Sequence, residues 1–191
     1  MPNFSMILSS VLFFQGLLAL DEKISIEVQD KGCSCGGCLH QANYPRTMLG
    51  VLQAVAELFE FRFSFCCDQE NCRKRRTSPS VRFLGRRRFS FALILLASML
   101  TNGVNARRMA QLQDLVPVSE ATLRRWRNWW QKEFVITPFW RGFCGRFVPA
   151  IPACELPGEL LNRSTFEDPD RLVNSILSLL SPLSTTSCAP F

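Results

Sequence analysis

The chain contains the sequence FCCDQENCRKRRTSPSVRFLGRRR at residues 65–88. Its first eight positions hold three cysteines, and its last sixteen hold eight arginines or lysines and no acidic residue. A run of charge often marks only a solvated face or a disordered tail. Apolar residues such as Phe83 and Leu84 interleave with these charges, however, and this favours an ordered basic surface. The cysteine group and the basic run are therefore adjacent parts of one segment.

A second cysteine group, CSCGGC, lies at residues 33–38. A structural zinc site takes four thiolate or imidazole ligands, usually as two close pairs that each lie on a tight turn. Cys35 and Cys38 form one such pair, and the two glycines between them permit the turn. Cys67 and Cys72 form the other pair. The sequence therefore predicts a zinc ribbon, with Zn²⁺ as the cofactor and Cys35, Cys38, Cys67 and Cys72 as the ligands.

The spacing leaves the register of these ligands open. Cys33 can replace Cys38 in the first pair, and Cys66 can replace Cys67 in the second. His40 is also close in sequence, but a lone histidine near a surface turn is more often a plain polar residue. Buried free thiols would explain one or two cysteines, whereas this stretch holds six within forty residues. The metal interpretation is therefore favoured over free thiols.

Residues 107–134 carry the pattern of a helix-turn-helix. A short helix is predicted at 107–115, followed by a turn at Pro117 and a second helix with Ser119 as its N-cap. In such motifs the second helix lies in the major groove, where Arg can bind guanine and Asn can bind adenine. The predicted groove contacts are Thr122, Arg124, Arg125, Arg127 and Asn128. The predicted phosphate contacts are Arg73, Lys74, Arg75, Arg76, Arg86, Arg87, Arg107 and Arg108. An amphipathic helix with buried tryptophans and solvated arginines is the alternative.

The chain is predicted to have an α+β fold, in which a small zinc-ribbon β element precedes a mainly α-helical helix-turn-helix region. Four segments are expected: an apolar segment (1–30), a zinc-ribbon-like domain with a basic edge (31–88), the helix-turn-helix domain (89–147), and a Pro-rich wrap with a C-terminal helix and tail (148–191). Residues 6–20 are expected to form a buried helix or a pair of strands. Strands are predicted at 24–30, 61–65 and 80–85, and helices at 47–60, 89–100 and 168–180.

Composition narrows the class of protein. The net charge is +6, and the one histidine lies in the predicted metal knuckle, so binding is expected rather than catalysis. The apolar runs at 6–20 and 89–100 are shorter than the roughly 20 residues of a membrane span. No basic residue precedes the first run, as a signal peptide would require. A cytoplasmic protein without membrane association is therefore predicted.

Three segments carry a resemblance to a known group: CGGCLHQANYPR, RFSFCCDQENCRKRRTSPSVRFLGRR and SEATLRRWRNWWQKEFVITPFW. Over about residues 30–145 the chain resembles uncharacterised bacterial proteins associated with mobile elements. More distantly, it resembles the DNA-binding part of insertion-sequence transposases. The resemblance implies a zinc-dependent protein that binds duplex DNA as a transposon accessory or regulator, with a transposase as a further partner. The alternative is a non-catalytic interaction or assembly protein, stapled by zinc, that binds RNA or an acidic protein.

Overall fold

The computed structural model describes residues 4–49, 51–85, 87–100, 118–163 and 168–185. Helices combine with two small antiparallel sheets, which confirms the predicted α+β class. The helices and strands are α1 (Phe4–Ser9), α2 (Val11–Asp30), β1 (Leu39–Gln41), β2 (Tyr44–Pro45), β3 (Phe61–Arg62), β4 (Ser64–Cys67), β5 (Arg75–Thr77), α3 (Phe91–Leu100), α4 (Glu120–Asn128), α5 (Pro138–Phe143), α6 (Gly158–Asn162) and α7 (Pro169–Leu180). Short 3-10 turns lie at Gln53–Phe59, Phe134–Ile136, Cys144–Arg146, Ala153–Glu155 and Ser181–Ser184, and a π turn at Trp129–Glu133.

The apolar start of the chain is helical. Ser10 caps α2, because its hydroxyl accepts a hydrogen bond from the Phe13 backbone N–H at 3.2 Å. α2 then continues to Asp30, so the strand predicted at 24–30 is wrong. The buried residues Leu17, Asp21 and Ser25 follow the spacing of one helix face, which extends through the supposed strand.

α3 is the central helix of the larger hydrophobic core. Its residues from Phe91 to Ala97 are fully buried, and it contacts α1, α4 and α7. The core helix predicted at 89–100 is therefore confirmed. The larger core cluster draws buried residues from all four predicted segments, while a smaller cluster of Leu39, Phe65 and Cys67 supports the sheet. The predicted domain boundaries stay a prediction.

α4 begins where the sequence predicts. The Ser119 hydroxyl accepts a hydrogen bond from the Thr122 backbone N–H at 3.3 Å, which satisfies a helix N-terminal donor. Leu123 and Trp126 face the core, and Trp130 follows them in the π turn. The predicted preceding helix at 107–115 lies outside the described residues.

One arginine of the basic run belongs to the protein interior. Arg82 is fully buried, and its Nε donates to Asp21 Oδ2 at 2.7 Å. The same carboxylate accepts from the Ser80 hydroxyl at 2.5 Å and from the Val81 backbone N–H at 2.6 Å. Because these hydrogen bonds link residues 80–82 to α2, the strand predicted at 80–85 is wrong. Only an isolated bridge between Phe83 and Ser90 forms there, and β5 lies earlier, at Arg75–Thr77.

A second buried arginine anchors the C-terminal turn. Arg62 Nη2 donates to the backbone oxygen of Ser184 at 2.9 Å and to that of Ser78 at 3.2 Å. The Ser184 hydroxyl also accepts from the Ser80 backbone N–H at 2.8 Å. Burial lowers the pKa of the Arg62 guanidinium. These contacts hold the turn at Ser181–Ser184 against the loop that precedes α3.

The remaining sequence predictions have mixed outcomes. The strand predicted at 61–65 is confirmed as β3 and β4, interrupted at Phe63. The helix predicted at 47–60 is wrong in extent, because the described residues of that range form a 3-10 turn at Gln53–Phe59 in its place. The C-terminal helix is confirmed as α7, with Asp168 as N-cap and proline at the first helical position.

Candidate metal centre

The three-stranded sheet brings the two cysteine groups to one end of the fold. Its strand order is β1-β4-β5, and both pairings are antiparallel. The CSCGGC knuckle at 33–38 leads directly into β1, and β4 ends at Cys67 opposite Leu39. The loop that joins β4 to β5 contains Cys72. Strand pairing therefore places the knuckle and this loop side by side.

Four cysteine sulfur atoms meet there. The Sγ atoms of Cys33, Cys35, Cys67 and Cys72 all lie within 4.8 Å of one another. The Cys33 and Cys72 sulfurs are 3.6 Å apart, and the Cys35 and Cys67 sulfurs are 3.4 Å apart. A tetrahedron with metal–sulfur distances of about 2.3 Å has edges of about 3.8 Å. The four thiols can therefore hold one metal ion.

Three of the predicted ligands, Cys35, Cys67 and Cys72, belong to this group, whereas Cys38 lies outside it. Cys33, the alternative that the spacing left open, takes the place predicted for Cys38. The backbone explains the exchange, because the Cys38 N–H donates to Asp68 Oδ1 at 3.0 Å and the Asp68 N–H donates to the Cys38 carbonyl at 3.1 Å. Cys38 thus joins the two cysteine segments through its peptide groups.

Cys66 and His40 also lie outside the sulfur cluster. Side chains alternate along a strand, so Cys66 faces away from its neighbour Cys67. The Cys66 thiol donates instead to the Arg73 carbonyl at 3.6 Å. His40 Nε2 lies 3.8 Å from Asp68 Oδ2, on an exposed edge. Of the second predicted pair, Cys67 and Cys72 both belong to the sulfur cluster.

Two tight turns position the clustered cysteine sulfur atoms. In the first, the Cys33 N–H donates to the Gly37 carbonyl at 3.0 Å and the Gly36 N–H donates to the Cys33 carbonyl at 2.9 Å. Gly36 has a φ of +86°, a conformation that favours glycine. In the second turn, the backbone N–H groups of Cys72 and Arg73 both donate to the Gln69 carbonyl at 3.0 Å.

Gly37 packs against the second cysteine group. A β-carbon on residue 37 would lie 2.7 Å from Cys67 Sγ, 2.7 Å from Asp68 Oδ1 and 2.5 Å from Gln69 Cγ. The glycine therefore allows the CSCGGC knuckle to pack directly on Cys67. The pair of glycines between the cysteines was the available sequence signal.

Gly37→Ala is accordingly expected to weaken metal binding by about tenfold or more, since displaced support of metal ligands typically costs that much. Competition with a chromophoric chelator measures the change. Gly142→Ala is the matched control, because a β-carbon at residue 142 meets no atom within 4 Å. Equal metal affinity in the two variants would contradict the close packing of the knuckles.

The metal-free thiols differ in their tendency to ionise. Hydrogen bonds from the backbone and side chain of Cys35 lower the pKa of Cys33 to about 6. Burial raises the pKa of Cys67 to about 12. The Cys33 thiol therefore loses its proton readily. Ionisation of the other thiols requires a bound cation that compensates their negative charge. Metal affinity is expected to fall as the pH is lowered, because protons compete for the thiolates.

The β4–β5 hairpin also carries exposed positive charge. Arg73, Lys74, Arg75 and Arg76 directly follow Cys72, and all four are exposed. Arg87 differs, because the residue is half-buried and its guanidinium lies 4.7 Å from the centroid of a Trp129 ring. Arg86, Arg107 and Arg108 lie outside the described residues. Among the predicted phosphate contacts that the structure describes, the four residues of the hairpin lie together beside the candidate metal centre.

α4 exposes most of its predicted groove contacts. Arg124, Arg125, Arg127 and Asn128 face solvent, and Arg124 pairs with Glu120 at 2.7 Å. Thr122 is only 8% exposed, and its hydroxyl accepts from Arg125 Nη2 at 2.9 Å. Thr122 therefore lies on the packed side of the helix, where it cannot reach a groove.

No family model, curated protein or solved structure matches this chain. The mobile-element group that the sequence resembles thus stays a prediction. Among the helices of the described ranges, none combines the length and apolar character needed to cross a membrane.

Proposed function

We propose that the protein is a zinc-dependent, non-catalytic protein that binds duplex DNA. One observation carries this proposal: the β4–β5 hairpin supplies two of the four clustered thiols and, directly after Cys72, four consecutive exposed cations. A metal that fixes the thiols therefore also fixes the start of the basic segment. The polyanionic DNA backbone is the partner that such a segment fits.

The donor set favours zinc as the metal. Four sulfur ligands in tetrahedral arrangement, with no open position for water or substrate, are typical of a structural zinc site. Such a site stabilises a fold rather than activating a reactant. This supports the assignment of a binding function instead of catalysis.

The cations would act mainly on DNA phosphates. Each phosphate neutralised by lysine or arginine releases counterions, so that the logarithm of the association constant falls by about 0.9 per tenfold increase in salt. Four such contacts would give a slope of about −3.6. α4 offers a second exposed basic surface, through Arg124, Arg125 and Arg127.

The cellular setting is part of the same proposal. The resemblance alone supports a role as a transposon accessory or regulator, with a transposase as partner. Reduced thiols at the metal centre favour the cytoplasm, where disulfides are rare.

A gel-shift titration of the full chain on duplex DNA, at several salt concentrations and with zinc measured in parallel, tests the function. We expect salt-dependent binding that is lost after zinc is removed by a chelator and regained when zinc is restored. Absence of duplex binding by the zinc-loaded protein would contradict the proposal. Binding only to single-stranded RNA or to an acidic protein would support the alternative function instead.

A further inference from the structure

The two faces of the three-stranded sheet differ in character. Leu39, Phe65 and Cys67 lie on the inner face and are buried in the small cluster beside the metal centre. On the opposite face, the register aligns His40, Cys66 and Arg75 across all three strands. This row is solvent-facing, because His40 and Arg75 are exposed and Cys66 is half-buried. We call it, together with Tyr44, the outer sheet face.

Neighbouring arginines of β5 have different roles on these faces. Arg75 lies on the outer sheet face, with its guanidinium 5.8 Å from the centroid of the Tyr44 ring. Arg76 points to the other side, where its Nη1 donates to the Gly32 carbonyl at 3.0 Å. Arg76 is thus bound to the residue that precedes the CSCGGC knuckle, whereas Arg75 lies on the Tyr44 ring and faces solvent.

The charge of this surface is positive. Arg73 and Lys74 are exposed in the loop that adjoins Arg75. The described acidic residues nearest to them in sequence are Asp68 and Glu70. Asp68 is occupied by the Cys38 and Gln69 nitrogen atoms and by His40. Glu70 is exposed and has its own negative charge, so the surface carries three cations against two carboxylates and stays net positive.

We propose that the outer sheet face, with Arg73 and Lys74, is the primary DNA contact and that it binds the phosphate backbone independently of base sequence. This inference rests on the proposed function and specifies which surface performs it. The major groove, about 12 Å wide, admits a helix or a two-stranded ribbon. Three strands spaced about 4.8 Å apart, with their side chains, are too broad to enter it. The face therefore meets the backbone, where arginine binds phosphate through paired hydrogen bonds.

α4 is less suited to be the primary contact. Arg124 is paired with Glu120, and Arg125 donates to the Thr122 hydroxyl. Beyond Asn128 the chain enters the π turn, where Trp129 and Trp130 are buried. The exposed basic part of this helix is consequently limited to about two turns.

The experiment compares two doubly substituted chains that lose the same charge. R73Q/R75Q changes the hairpin, and R124Q/R127Q is the matched control on α4. Fluorescence anisotropy on two duplexes of unrelated sequence gives the dissociation constant at several salt concentrations. Zinc content and thermal unfolding are measured for both variants, so that a folding defect is recognised.

For R73Q/R75Q we expect a salt slope less steep by about 1.8 and a loss of affinity by the same factor on both duplexes. R124Q/R127Q is expected to keep the parental slope. An unchanged slope in folded R73Q/R75Q, equal losses in both variants, or loss on one duplex alone would overturn this inference. In each of these cases duplex binding by the parent would still support the proposed function, whereas no binding by the parent would overturn both.

Discussion

Cys67→Ser is expected to yield a protein that retains no zinc and whose three-stranded sheet unfolds while the α3 core stays folded. Cys67 is fully buried, and the small hydrophobic cluster under the sheet contains two other buried residues, Leu39 and Phe65. Structural zinc contributes roughly 10–16 kcal/mol of apparent binding free energy in small zinc domains. A sheet of this size does not replace that contribution through its own burial.

Hydrogen exchange measured by mass spectrometry separates the two regions. Protection is expected to fall in peptides covering residues 33–41 and 64–77 and to persist in peptides from α3. Cys38→Ser and Cys66→Ser are the matched controls, because neither sulfur belongs to the cluster. If Cys38→Ser lost zinc as completely as Cys67→Ser, the assignment of Cys33 as the fourth ligand would be wrong.

Asp21→Ala is expected to destabilise the larger core by about 3–5 kcal/mol, the usual cost of leaving one buried charge without its partner. Arg82 would keep its buried guanidinium but lose the carboxylate at 2.7 Å. The Ser80 hydroxyl and the Val81 N–H would lose their acceptor as well. Urea unfolding of the zinc-saturated protein, followed by tryptophan fluorescence, measures the change.

Glu22→Ala provides the comparison for this substitution. Glu22 is the adjacent residue of α2 and is exposed, so its replacement is expected to change the free energy of unfolding by less than about 0.5 kcal/mol. A loss below about 1 kcal/mol for Asp21→Ala would show that the Asp21–Arg82 pair does not stabilise the core as its geometry implies.

The cysteine spacing was sufficient to predict that two distant knuckles meet, because tetrahedral thiolate sites are built from such pairs. It did not distinguish Cys33 from Cys38, which lie on either side of Cys35. That choice depends on backbone contacts, namely the Gly36 turn and the hydrogen bonds between Cys38 and Asp68. The hydrogen bonds between Cys38 and Asp68 connect residues thirty positions apart, and nothing in the local pattern predicts them.

Polar residues inside the core explain why the strand predicted at 24–30 is wrong and why Arg82 is buried. The helical stripe of α2 passes through Asp21 and Ser25, so its apolar periodicity is broken, while Ile24, Ile26 and Val28 imitate the alternation of a strand. Asp21 is buried because Arg82, far along the chain, neutralises it. The same pairing removes Arg82 from the surface, although its neighbours in sequence suggested a solvent-facing run.

In α4, the sequence predicted the N-cap and the buried face but not the burial of Thr122. Ser119, Leu123 and Trp126 were sufficient to predict the cap and the buried stripe, because both depend on short-range spacing. Thr122 fell one position outside that stripe, yet packing against the core buries it. Whether the chain forms a helix-turn-helix stays a prediction, since the expected first helix lies outside the described residues.

Native mass spectrometry of the full chain, purified without added metal, is the most direct test of the four-thiolate centre. One zinc ion per chain is expected, because the four clustered thiols can hold one metal ion. Cys33→Ser should remove the ion and Cys38→Ser should retain it. A parent chain that carries no zinc and takes up none when zinc is supplied under reducing conditions would contradict the account.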